Sequence, residues 1–350
     1  MTHPAPRRTA VLVSAALGGL SLLGASPASA AEVGLGGGAT TLTLDRGAAR
    51  ALTSLGVRVA PVSGAKATAQ GLSFPITSGR IDPATGAGTY RHSGGIRLSA
   101  GKTRLTLSNF DVTVKKNSTL SVRVNGGRRL IALIPVVGKA RVTRPGIDTT
   151  VSNVDIHLST AGAAALNATF KVKAFRPRLK LGSVKIVAKA SETVLTGGTT
   201  DLALDPGAAS ALTSLGITAA PAAPATAKAD GSLAFAITEG RVRVPTLAGT
   251  IGHSGGITLT RGSTVVTLSD FGIDTVGGVL SASLGSARAD ILTLDLSAPA
   301  VTIGRRAVTV GNVTAKLTQG AADALNQAFG TTAFTAGLTL GVATVRGTTA

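Results

Sequence analysis

The chain repeats itself once, and this constrains its fold more than any other feature. Ala51-Leu52-Thr53-Ser54-Leu55-Gly56 recurs unchanged at Ala211 to Gly216, and His92-Ser93-Gly94-Gly95-Ile96 recurs at His253 to Ile257. Leu42 to Asp45 matches Leu202 to Asp205, Leu107-Ser108-Asn109-Phe110 matches Leu268-Ser269-Asp270-Phe271, and Ala165-Leu166-Asn167 matches Ala324-Leu325-Asn326. The offset stays between 159 and 161 residues throughout. A single large unit occurs twice, which excludes a short-period solenoid. All eight Phe fall into pairs: Phe74 with Phe235, Phe110 with Phe271, Phe170 with Phe329 and Phe175 with Phe334. Bulky side chains at matching positions in both copies mark a core. The boundary is set near Ala190, giving repeat 1 over 31–190 and repeat 2 over 191–350.

Each copy reads as mainly β. Val301-Thr302-Ile303 and Val308-Thr309-Val310 flank Gly304 to Ala307 as a hairpin. Thr103 to Leu107 and Thr264 to Leu268 are strand-like runs entered from Gly101 and Gly262. Two short helices per copy stand out. Asp45 and Asp205 suit N-caps, and Gly56 and Gly216 end the first helix of each copy. Gly162 to Phe170 and Gly320 to Phe329 form the second. Gly138 to Val151 reads as loop plus strand. The expected fold is two tandem β-sandwich-like domains.

Residues 1–30 read as an export signal. Arg7 and Arg8 precede an uncharged apolar run from Ala10 to Ala25, and Ala28-Ser29-Ala30 supplies small residues for cleavage. The arginine pair leaves a twin-arginine route open beside ordinary Sec export. The mature chain is expected to be secreted or associated with the cell wall. No second apolar run of ~20 residues and no Cys for lipidation follow, so no anchor is expected.

The formal charge of +19 is unevenly placed. Glu32 to Ala190 holds 24 basic and 6 acidic residues, whereas Ser191 to Ala350 holds 9 and 10. Lys171 and Lys173, then Arg176, Arg178 and Lys180, recur at every second residue, which on strands would put each set on one face. Two readings follow: a solvated face, or adsorption to an anionic wall polymer or membrane surface. Export and the scarcity of aromatics set nucleic acid aside.

Chemical motifs are sparse. The chain has no Cys, and it lacks G-x-S-x-G, H-E-x-x-H and P-loop signatures, so no catalytic activity is expected. His92 and His253 form the repeated pair. Tyr90, His92, Ile96 and Leu98 share parity, while Arg91 and Arg97 occupy the alternate positions that want water. The imidazoles therefore face the apolar side, either as hydrogen-bonded core residues or as ligand contacts.

Thr250-Ile251-Gly252-His253-Ser254-Gly255-Gly256-Ile257-Thr258-Leu259, followed by Val266 to Phe271, resembles the central motif of the Hta-type (HtaA) haem-uptake domain of actinobacterial surface and secreted proteins. Thr89 to Leu98 with Leu105 to Phe110 is the copy-one version. The resemblance implies a haem-binding or haem-relay module. That family opens its domain with a Trp- and Tyr-containing motif, and this chain has neither there. The resemblance thus places haem in copy one, with Tyr90 or His92 at the iron and Arg91 and Arg97 on the propionates. His253 is the corresponding motif position in copy two.

Overall fold

The computed structural model describes residues 31–136, 139–244 and 246–349. The leader reading over residues 1–30 lies outside them. The first copy runs β1 (Val33–Leu44), α1 (Arg46–Ser54), β2 (Arg58–Val62), β3 (Lys66–Thr68), β4 (Gly71–Ile81), β5 (Gly88–His92), β6 (Gly95–Ala100), β7 (Thr103–Val114), β8 (Thr119–Val124), β9 (Arg129–Val136), β10 (Arg141–Thr143), β11 (Thr149–Leu158), α2 (Thr160–Phe170) and β12 (Lys180–Ala190). The second repeats this order as β13 (Glu192–Leu204), α3 (Pro206–Ser214), β14 (Thr218–Ala222), β15 (Thr226–Ala227), β16 (Leu233–Arg243), β17 (Gly249–Ser254), β18 (Gly256–Arg261), β19 (Thr264–Asp274), β20 (Val279–Leu284), β21 (Ala287–Asp295), β22 (Ala300–Ile303), β23 (Ala307–Leu317), α4 (Gln319–Phe329) and β24 (Thr339–Thr349).

The sandwich expectation is corrected to a barrel. In the first copy β7, β5, β4, β1, β12, β11, β9 and β8 pair in order, and β8 pairs back to β7, so eight strands close into a ring. β6 shares the same edge of β7 as β5 and carries β2, while β3 and β10 hang from β4 and β11. The second copy closes identically through β19, β17, β16, β13, β24, β23, β21 and β20. Period-2 patterning fits a sandwich or a barrel equally well, because both bury one face of every strand. Only the full set of pairings, which returns from β8 to β7 and from β20 to β19, tells them apart.

Bulges sit at Asn109 and Asp270, inside β7 and β19. Both adopt left-handed backbone, φ 51° and 52°. The extra residue re-aims the chain so that Phe110 and Phe271 point inward. Each then meets its partner edge to face: Phe74–Phe110 with centroids 4.8 Å apart and Phe235–Phe271 at 5.0 Å.

The helices form where the capping chemistry places them. Asp45 accepts from the Gly47 and Ala48 amides, and Asp205 does the same for Gly207 and Ala208. α2 and α4 start at Ser159 and Thr318 and end on left-handed Lys171 and Gly330. After each, an Asn holds the following loop. Asn167 brackets the backbone of Phe175 through both its amide atoms, as Asn326 does for Phe334.

This loop corrects the reading of the basic stretch. Lys171, Lys173, Arg176 and Arg178 lie between α2 and β12, and only Lys180 is on a strand. All five are exposed, and Phe175 is the buried anchor between them. The alternation reflects a loop pinned by Phe175, with Val172 and Leu179 packed against the core and the basic side chains in water.

The two barrels meet at a cluster that mirrors the repeat. Glu192 accepts from the Gly34 amide at 2.9 Å and pairs with Arg80 at 3.3 Å and with Arg241, the counterpart of Arg80. Glu32, the counterpart of Glu192, lies 3.7 Å from Arg80.

Candidate functional site

An eight-stranded barrel is just wide enough either to be filled by its own side chains or to hold one small ligand. The two copies differ on this point. The interior of the second barrel contains a cavity of about 420 Å3, and that of the first only about 140 Å3.

The cause lies in the side chains at equivalent register positions. Tyr90, fully buried in the first core, is replaced by Ile251. Leu130, Ile156 and Val184 are replaced by Ala289, Ala315 and Ala343, all three of which line the larger cavity. The opposite trades, Ala132 to Ile291 and Val112 to Ile273, return less volume. The wall of the large cavity is almost wholly apolar. Its exposed members are Ala289 and Asp290 on β21 and Gly320, Ala324 and Ala328 on α4, so mostly small residues between this strand and helix form the mouth.

Each histidine lines its own cavity and is tied at both nitrogens. His92 Nδ1 lies 2.9 Å from the Phe110 carbonyl oxygen, and His253 Nδ1 lies 3.1 Å from that of Phe271. A carbonyl can only accept, so Nδ1 carries the proton and donates. Nε2 is then the acceptor, receiving the hydroxyl of Thr40 at 2.7 Å or of Thr200 at 2.6 Å. These threonines, both buried, are residues that sequence reading passed over. Their signal was present: Thr40 and Thr200 stand at the same place in the repeat, each two residues after a Gly-Gly pair.

Burial lowers the pKa of both imidazoles, with the Phe110 or Phe271 carbonyl partly opposing it and Asp111 also opposing at His92. The sign of the pH effect follows. Below about pH 6.5 the unfolded chain binds a proton at each site that the folded chain refuses. Stability is therefore complete above that pH and falls as pH drops, by up to ~1.4 kcal/mol per pH unit for each histidine. Urea unfolding between about pH 7.5 and 5.5 should show this slope, and His92→Gln with His253→Gln should flatten it.

Tyr90 donates its hydroxyl to the Gly86 carbonyl at 2.7 Å. Burial, aided by the charge of Asp82, pushes its pKa up, so phenolate is disfavoured. The phenol lies outside the lining of the smaller cavity. Arg91 and Arg97 are exposed and face away from the interior.

These residues do not fit haem. An iron ligand needs a phenolate or an imidazole nitrogen with a free lone pair, and here both histidine nitrogens and the tyrosine hydroxyl are committed. No Lys or Arg lines either cavity to meet the propionates. Among the described residues no group of three or more His, Cys, Asp or Glu is arranged to hold a metal ion, and no helix is long and apolar enough to cross a membrane.

No family model and no curated protein matches the chain. Solved structures do. A domain-swapped dimer of a histidine-to-alanine variant of the C-terminal domain of HtaA from Corynebacterium glutamicum is 16% identical, with a TM-score of 0.30, covering 38% of this chain and 84% of that one. In fold, this chain is similar to that same C-terminal domain of HtaA, at 17% identity and a TM-score of 0.35 over 45% of this chain and 98% of that domain.

Proposed function

We propose that this chain is an exported, non-catalytic binding protein whose second barrel encloses one uncharged apolar molecule. The cavity of about 420 Å3 carries the proposal. An empty cavity of this size costs the fold the packing that its walls forgo. Water does not relieve this, because an apolar cavity stays dry. A ligand that fills the space does. The volume also lies within the range of small-molecule sites, ~300–1,000 Å3, which the first barrel's cavity does not reach.

The lining sets the ligand's chemistry. His253 and Thr200 satisfy each other, and the one charged residue is Asp290 at the mouth. An anionic head group would meet a like charge and find no cation. A benzene-sized cavity is ~150 Å3, so this one suits roughly three such units, a hydrocarbon skeleton of about 18 carbons. Organic extraction of the mature protein followed by mass spectrometry should release one neutral lipid per chain. Nothing extractable, together with no uptake of the uncharged fluorophore 1-aminoanthracene, would contradict the reading. Haemin should keep its free spectrum on mixing, and a sharp Soret band would overturn the donor argument.

A further inference from the structure

The outer face of the first barrel carries a feature that the second barrel lacks. Cross-strand register builds three rows there. Arg58 and Arg104 flank Ser99, Ala60 and Thr106 flank Arg97, and Gly95, Ser108, Arg123 and Arg129 lie in line. Residues paired across antiparallel strands project to one side, as do residues two apart on a strand. Arg58, Arg97, Arg104, Arg123 and Arg129 therefore share a face, and all five are exposed. Val59, Leu98 and Leu105 on the opposite side pack in the core.

The second barrel supplies the control. Its corresponding rows carry Thr218, Thr258, Val265, Ser283 and Arg288. Arg288 is held at home, donating to the Asp270 carbonyl and the Ser281 hydroxyl. The fold thus has no need of arginine at four of the five places. In the first barrel, Arg129 pairs with Asp111 at 2.8 Å, while Arg58, Arg97, Arg104 and Arg123 pair with no acid among the described residues.

The side-chain type and layout indicate the partner. All five are arginine, whose planar fork meets phosphate oxygens through two parallel hydrogen bonds, and no lysine shares the rows. They span β2, β6, β7, β8 and β9, four gaps of about 4.8 Å, or roughly 19 Å. That is a track for an extended strand of charges. The four strands β2, β6, β7 and β8 expose no large apolar side chain, and Ile131 on β9 is a single exposed one beside Arg129, too little to enter a bilayer. No aromatic lies on the rows to stack a base.

We propose that this arginine face docks an extended, base-free polymer of phosphate groups. The proposal is independent of the cavity. Its test is a titration of the full mature chain with long-chain inorganic polyphosphate at low and high salt. Installing the second barrel's residues, Arg58→Thr, Arg97→Thr, Arg104→Val and Arg123→Ser, should weaken binding at least about tenfold and reduce its salt dependence. The loop variant Lys171→Gly, Lys173→Thr, Arg176→Thr and Arg178→Gly removes equal charge and should bind within about twofold of the parent. An equal loss in both variants would reduce the effect to net charge and overturn the face. Should the first variant fail to fold, the reverse graft decides. Thr218→Arg, Thr258→Arg, Val265→Arg and Ser283→Arg should strengthen polyphosphate binding, and no gain would contradict the proposal. Tighter binding to polyglutamate, single-stranded DNA or anionic vesicles than to polyphosphate would overturn the polymer class.

Discussion

Ala315→Ile combined with Ala343→Val, which places two of the first barrel's side chains in the second, should weaken uptake of an apolar probe while leaving the protein folded. Both alanines line the large cavity, and the larger residues already occupy the same register positions at Ile156 and Val184. The ligand-free protein should become more stable, because the new methyl groups fill space that held nothing. Cavity filling usually contributes ~0.5–2 kcal/mol per site, so the pair should add about 2 kcal/mol, or roughly 4–8 °C in the melting of that domain. The combination of weakened binding and gained stability separates this account from general damage, which would lower both.

The reciprocal change acts on the first barrel. Tyr90→Ile removes a fully buried ring and its hydrogen bond to the Gly86 carbonyl. Emptying a buried aromatic site costs ~3–5 kcal/mol, and isoleucine refills part of it, so a loss of about 3 kcal/mol is expected in chemical denaturation. The small cavity beside Phe74, Phe110 and His92 should enlarge, and the first barrel should begin to take up the probe. Ile251→Tyr in the second barrel should do the opposite and exclude it. A Tyr90→Ile protein with unchanged stability and no second binding event would show that the ring does not determine the difference between the copies.

Much of this fold was legible in the sequence, for local reasons. Asp45 and Asp205 cap helices through contacts two and three residues away, and the Val301–Val310 hairpin closes over four residues. Barrel closure was not legible, because it depends on pairing strands far apart in the chain, above all β1 with β12. The basic stretch misled for a related reason. Alternating Lys and Arg between Lys171 and Lys180 imitates a strand, but the Asn167–Phe175 bracket holds that backbone as a loop. Parity correctly turned His92 and His253 inward. It could not reveal that Thr40 and Thr200, more than fifty residues earlier, complete their hydrogen bonding. The cavity was readable in principle. The exchanges of Leu130, Ile156 and Val184 for alanine lie in plain view once the repeats are aligned by strand register rather than by identical residues alone. Likewise, the arginine face emerges only when strands far apart in sequence are laid side by side.

The stoichiometry of 1-aminoanthracene binding tests the central claim most directly. Fluorescence titration of delipidated mature protein should give one site per chain, a weakened one in Ala315→Ile with Ala343→Val, and two in Tyr90→Ile. One undiminished site in the Ala315→Ile, Ala343→Val protein, or no site in the parent, would contradict the account.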